Sequence, residues 1–260
     1  DCLLSRGLGD VYKRQPARNE KTPPSHSPII APMYLHPLTA GLPMTEREWL
    51  TRHSELRYFR RNETVLEAHE ETDRVYCVAT GLLRVVARGR TPAADFTSEF
   101  IRADDFFFDL GLQQDRYRST QALVAALPAS VHLVSVAALR ELCERRPEIA
   151  LRLLGLVAKR QALLRGRLRR VSTLSSGALV GHVLHQLTQL APVHAGGFDK
   201  RISQSMIASY SGLSREVVNK TMRAMEQRGL LRRDAQAVHV PEDFAQTDFG
   251  ALPDDRLSTA

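Results

Sequence analysis

The chain has 260 residues, 43% hydrophobic and 25% charged, the composition of an ordinary globular protein with room for two modest domains. Thirty-six Lys and Arg against 29 Asp and Glu leave a formal net charge of +7, which favours polyanionic partners, nucleic acid and membrane surfaces alike. Three scattered cysteines (Cys2, Cys77, Cys143) argue against a disulfide framework or a four-cysteine metal site and point to a reducing cytoplasm, and no run of about 18 apolar residues is present to span a membrane.

Residues 1–44 read as a disordered tail. Pro16, Pro23, Pro24, Pro28 and Pro32 stand among polar residues that cannot bury enough apolar surface to order themselves. Leu3-Leu4 is too short for the apolar part of a signal peptide. The run Asp10-Val11-Tyr12-Lys13-Arg14-Gln15 resembles the translation of a common sequencing-library adapter. The first fifteen or so residues are therefore read as non-native, with Met33 or Met44 as the true start.

A first domain is predicted over 45–146. Thr45 is placed as the cap of a short helix, with Glu48 three residues on. Strands follow at Val75–Ala79, Leu82–Val86, Phe96–Ile101, Gln121–Ala126 and Val131–Val136, within a strand-rich region that runs to Leu139. Short β-branched or aromatic runs divided by turn residues predict an antiparallel barrel or sandwich. After Pro147 the pattern becomes helical. Residues 148–175 hold no Pro, and Ala150, Val157, Leu164 and Val171 recur every seven residues, with Leu154 and Leu168 beside them. That spacing predicts a helix over 147–176 that pairs with a second copy, through Val157, Leu164, Leu168 and Val171, or else packs on its own domain. Arg160 and Arg167 fall where a strict coiled coil would place apolar residues. A second helical block begins at Gly177, and a polar tail begins at Gln246.

The segment 177–245 contains the most specific pattern. Ser203 can cap a helix in which Met206, Ile207 and Tyr210 share a face. Gly212 supplies a turn that needs positive φ, and Leu213 can plug the angle between two helices. Ser214 caps a second helix with Val217, Val218, Met222 and Met225 to bury, and Gly229 stops it. This is a helix-turn-helix, and a plain helical hairpin is the alternative. Arg215, Glu216, Asn219 and Lys220 lie in the first two turns of the second helix, where a major-groove reader needs them. Arg can bond guanine twice, Glu can accept from cytosine, and Asn219 can bond adenine or a phosphate. Leu230-Leu231-Arg232-Arg233 and Ala237-Val238-His239-Val240 read as a wing hairpin. Ser203, Ser214, Arg223, Arg232 and Arg233 are the expected phosphate contacts. Residues 199–233 carry eight Lys or Arg against three Asp or Glu, so binding should weaken steeply with salt.

Ile202–Val240 resembles the C-terminal domain of the cyclic-AMP receptor protein/fumarate-nitrate regulator (Crp/Fnr) family of bacterial transcription regulators. Gly-Leu-Ser-Arg-Glu-Val-Val at 212–218 is similar to that family's turn and recognition-helix start. The resemblance extends over about residues 58–243. It implies an α+β protein with an N-terminal β-roll sensor of the cyclic-nucleotide-binding type, a long dimerisation helix and a C-terminal winged helix-turn-helix. By the same resemblance Arg215, Glu216 and Lys220 read base edges, the partners are a second copy, twofold-symmetric double-stranded DNA and RNA polymerase, and an effector pocket lies in the sensor. Lys220 stands where many members have Arg, and Asn219 where many have a small residue. In the pocket, Arg118 and Ser119 keep the family's phosphate-binding pair. Phe108, Asp109 and Leu110 replace a Gly-Glu-Leu segment, and Leu164 and Arg165 stand where cyclic-AMP responders carry hydroxyl residues. These departures weigh against cyclic AMP and leave the effector open. Cys77 and Cys143 are too few for a cluster and read as small core residues, and His69 and His132 are the candidates for a haem ligand. Phe106-Phe107-Phe108 reads as barrel core or as a filler of the pocket. The competing function is a cyclic-nucleotide-binding module acting on a protein partner. No metal motif, phosphate loop or nucleophile elbow supports an enzyme, and His182 and His185 lack the neighbours a zinc site requires.

Overall fold

The computed structural model describes residues 39–91, 95–109, 114–193, 196–241 and 243–244, all within one unit, Ala31–Ala260. Helix α1 (Met44–Arg52) opens the fold with Pro43 at its N-cap, so Thr45 lies inside the helix and caps nothing. Proline pre-sets the φ that a helix start needs, which moves the boundary earlier than a hydroxyl cap predicts. Thr39 and Leu42 are buried, and Leu42 packs with Leu50 and Leu139. Residues 39–44 therefore do not belong to the expected tail. Its remainder, like the predicted tail from Gln246, lies outside the described residues.

Among the described residues ten strands then form a β-roll, the domain expected as the sensor: β1 (Ser54–Phe59), β2 (Thr64–Leu66), β3 (Glu71–Thr72), β4 (Arg74–Thr80), β5 (Leu82–Ala87), β6 (Phe96–Arg102), β7 (Phe106–Phe107), β8 (Tyr117–Arg118), β9 (Ala122–Ala125) and β10 (Ala129–Ser135). They make two four-stranded antiparallel sheets, ordered β1-β10-β4-β7 and β2-β9-β5-β6, with β3 and β8 as a separate pair. Alternation along β4 sorts the side chains. Tyr76 and Val78 join the core between the sheets, with Leu83, Ile101 and Leu133, while Val75 and Cys77 face the helical layer. The phenylalanine run divides in the same way, Phe106 toward the helices and Phe107 toward the inter-sheet core. Gly81 holds φ +84° between β4 and β5, where a Cβ would lie 2.1 Å from the Pro128 carbonyl oxygen. Only glycine fits this turn.

The expected strand at Val131–Val136 ends at Ser135, and helix α2 (Val136–Arg145) occupies the rest of the stretch read as strand-rich to Leu139. Ser135 caps that helix through Ala138 N, an apolar run being compatible with either structure until the cap is seen. Helix α3 (Pro147–Thr173) follows, with only Ile149 and Leu153 fully buried. Leu154 is 65% exposed and Leu168 69%, Val157 and Leu164 are also exposed, and Val171 is half-buried. Arg160 and Arg167, expected as interruptions of a coiled-coil seam, lie off the stripe. Both turn away from this stripe to the protein's own sensor, Arg160 pairing with Glu99 at 2.6 Å and Arg167 bonding backbone carbonyls of β6.

Helix α4 (Ser176–Leu190), strands β11 (Pro192–Val193) and β12 (Gly197–Asp199), helices α5 (Gln204–Ser211) and α6 (Arg215–Gln227), and strands β13 (Arg232–Arg233) and β14 (Ala237–His239) form the C-terminal head. Its sheet runs β11-β12-β14-β13. The head core of Phe198, Ile207, Val218, Met222, Met225 and Phe244 is continuous with Leu82, Phe100 and Leu127 of the β-roll.

Candidate nucleic-acid interface

Short-range bonds build the two-helix unit. The Ser203 hydroxyl accepts from Met206 N at 3.3 Å and starts α5. Gly212, at φ +71°, closes it by donating its N–H to the Ala208 carbonyl at 2.9 Å. Leu213 is half-buried against the head core. The Ser214 hydroxyl accepts from Val217 N at 3.2 Å and starts α6. Gly229, also at φ +71°, ends it, its N–H reaching the Glu226 carbonyl at 3.0 Å. Because α6 buries Val218, Thr221, Met222 and Met225, the other face carries Arg215, Glu216, Lys220 and Arg223, all exposed. Asn219 is placed differently from these. It is half-buried and its side-chain oxygen accepts from Gln204 Nε2 at 3.2 Å, tying the start of α5 to α6.

Beyond α6, Asp234 fixes the wing turn by accepting from Gln236 N at 2.7 Å and Ala237 N at 2.8 Å, and it meets His239 Nε2 at 2.6 Å. These donors, the Gln236 amide first, hold its carboxyl well below the usual range. Arg232 is exposed, whereas Arg233 pairs with Glu226 at 2.6 Å and fastens the wing to α6. The Glu226–Arg233 brace and the Gln204–Asn219 bond were not legible in the residue pattern. Both join positions seven to fifteen apart on different elements.

In the sensor, a cavity of about 990 Å³ lies between β6, the end of β7 and α3. Phe107, Phe108, Leu153, Leu154, Val157 and Leu164 give it an apolar wall, and Glu99 and Arg160 line it too. Arg160 also donates to the Phe106 carbonyl at 3.1 Å. Burial raises the Glu99 carboxyl pKa, with Arg160 opposing. Arg118 is exposed and donates to the His69 carbonyl at 2.8 Å, outside the cavity lining. The Asp109 carboxylate turns to its neighbours, accepting from the Thr120 hydroxyl at 2.6 Å, from Thr120 N, and from the Ser119 hydroxyl at 3.4 Å. Cys77 is fully buried, which pushes its thiol pKa up to about 12, while Cys143 is half-buried at the cavity. Among the described residues no three metal-ligating side chains gather, and no helix is long and apolar enough to cross a membrane.

Residues 180–242 match the Crp-like helix-turn-helix domain. The chain is 23% identical over 198 residues to the cAMP-activated global transcriptional regulator CRP of Pasteurella multocida, covering 74% of this chain and 93% of that one. The β-roll, long helix and head superpose on FixK2 from Bradyrhizobium japonicum with a TM-score of 0.64 at 20% identity, covering 74% and 94% of the two chains. The c-di-GMP responsive global regulator CLP from Xanthomonas campestris gives the same score at 19% identity, covering 75% and 98%. These similarities are all to regulators of the Crp/Fnr type, by the helix-turn-helix domain and by the fold. This fold does not gather all the pocket residues expected from the resemblance. Phe108, Asp109 and Leu164 line the cavity. Arg118, Ser119 and Arg165 do not, and Leu110 lies outside the described residues.

Proposed function

We propose that this chain is a Crp/Fnr-type regulator of transcription, a homodimer that binds twofold-symmetric DNA and is gated through its sensor cavity. The observation that carries the reading is the face of α6. Arg215, Glu216, Lys220 and Arg223 stand exposed on one side of a capped helix, with Arg232 on the adjoining wing. Arg215 and Glu216 would read base edges and Lys220 would add a base or phosphate contact. Arg223, Arg232 and the α5 and α6 N-termini at Ser203 and Ser214 would hold phosphate. Asn219 and Arg233 would serve the interface from their places in the Gln204 and Glu226 bonds.

Dimerisation through α3 is supported by its exposed stripe of Leu154, Val157, Leu164 and Leu168, apolar side chains that water would otherwise solvate. The two heads would then meet half-sites about one helical turn, or a multiple, apart. Gating is supported by the cavity's shared wall, since whatever fills it touches β6 and α3 together. A cyclic nucleotide is a poor fit. The Thr120 hydroxyl and amide already serve Asp109, whose carboxylate would repel a phosphate, the Ser119 amide donates to the Glu70 carbonyl, and Arg118 faces elsewhere. RNA polymerase is the further partner proposed for this class of regulator.

The test is selection of random double-stranded DNA by the purified chain, with and without cyclic AMP. A twofold-symmetric site enriched in both arms is expected. Enrichment only with cyclic AMP overturns the reading of the cavity, and no enrichment in either arm overturns the DNA reading.

A further inference from the structure

Arg167 stands where three elements cross. Its guanidinium rises from α3 and donates to the Thr97 carbonyl at 2.9 Å and to the Ser98 carbonyl, both on β6, and to the Tyr210 carbonyl near the end of α5. The same group lies over the Tyr210 ring at 4.0 Å and the Phe96 ring at 5.0 Å. All three acceptors are backbone oxygens, so they move only if β6 or α5 moves. Tyr210 is two residues before the Gly212 turn and five before Arg215. Beside this clasp the head meets β6 twice more. The Ser209 hydroxyl accepts from Thr97 N at 2.8 Å and donates to the Asp95 carbonyl at 2.8 Å, and the Phe100 and Tyr210 rings lie 4.8 Å apart.

We propose that Arg167 is a positioning residue for DNA recognition: it fixes the angle of the reading head against the dimer helix and thereby sets the half-site spacing the protein accepts. This rests on the homodimer reading above. A planar guanidinium that forks to three fixed carbonyls and stacks between two rings constrains direction as well as distance. Without Arg167 the head keeps its apolar contact with the β-roll and the Ser209 bonds, but it loses the fork that fixes its direction from α3, and it would engage half-sites over a wider range of separations. With the clasp, a palindrome of the wrong spacing is reached only by bending the DNA or breaking these bonds.

The experiment measures affinity of the full chain for its selected palindrome, for versions with one or two base pairs inserted or removed between half-sites, and for a duplex with a single half-site. Each base pair turns one half-site by about 35° round the duplex, so the wild type should prefer its optimum by about tenfold or more. Arg167→Ala should flatten that preference to within about threefold while single half-site affinity stays unchanged. Arg167→Lys should not restore it, because an ammonium has neither the fork nor the stacking plane. Ser209→Ala, which leaves Arg167 in place, should flatten the curve less and guards against a misfolded Arg167 variant. A wild-type optimum that survives in Arg167→Ala overturns the inference. So does equal loss on half-site and palindrome, which would make Arg167 a folding residue of the head. A wild type with no optimum removes the clasp's purpose and overturns the dimer reading with it, and the wild-type curve alone tells that case from the others.

Discussion

The head and the sensor are held together by bonds of different reach. In the head, the elements that carry the exposed face of α6 are set by bonds across three or four residues: Ser203 to Met206, Gly212 to Ala208, Ser214 to Val217, Gly229 to Glu226. In the sensor, the bonds that place the cavity join distant parts of the chain: Asn62 to Ala125, His69 to Ser119, Val78 to Asp105, and the ladder from Ser54 to Val134. Local bonds make a unit whose surface follows from its own sequence. Long-range ladders make a surface in which any one side chain depends on where several other strands run.

Four substitutions test this contrast. The largest effect belongs to Phe198→Ala. Phe198 is fully buried in the cluster that the head shares with Leu82 and Phe100 of the β-roll, so the truncation should cost about 3–5 kcal/mol. One melting transition should shift as a whole; two separate transitions, with only the head's moving, would show that the regions fold independently. Leu164→Glu comes next. A carboxylate in the α3 stripe, facing its own copy, should cost the dimer about 3 kcal/mol, and sedimentation should report monomers. A variant still dimeric at micromolar concentration would place the interface elsewhere.

In the head, Arg215→Ala or Glu216→Ala should weaken DNA binding by about 1–3 kcal/mol and relax preference at one position of each half-site, with thermal stability unchanged. A uniform loss over all sequences would turn these residues into phosphate contacts. The smallest effect belongs to the sensor. Asp109→Ala frees the Thr120 amide and hydroxyl and should lower stability by about 1 kcal/mol without changing DNA affinity. In the wild type Asp109 occupies these donors, so calorimetry should detect no cyclic AMP binding. Any binding gained by Asp109→Ala would mark that carboxylate as the group that excludes a phosphate.

The residue pattern was enough to place the caps at Ser203 and Ser214, the positive-φ glycines at 212 and 229, the apolar face of α6, and the start and apolar stripe of α3. Each of these is written in residues that lie within a turn or two of one another, where hydrogen-bond reach and helical period leave one solution. It also located the main strands, from β-branched runs cut by turns. Only the tertiary structure decided that Pro43 and not Thr45 opens the first helix, and that the apolar run after Ser135 is helix. It alone decided that Asn219 and Arg233 are tied to Gln204 and Glu226. It also separated Arg118 from the cavity that holds Phe108 and Asp109, and turned Arg160 and Arg167 from the expected helix seam to β6. The physical reason is the same in each case. A side chain's partner lies on another element, and which element passes beside it is fixed by strand pairing and core packing across the whole chain, not by spacing along it.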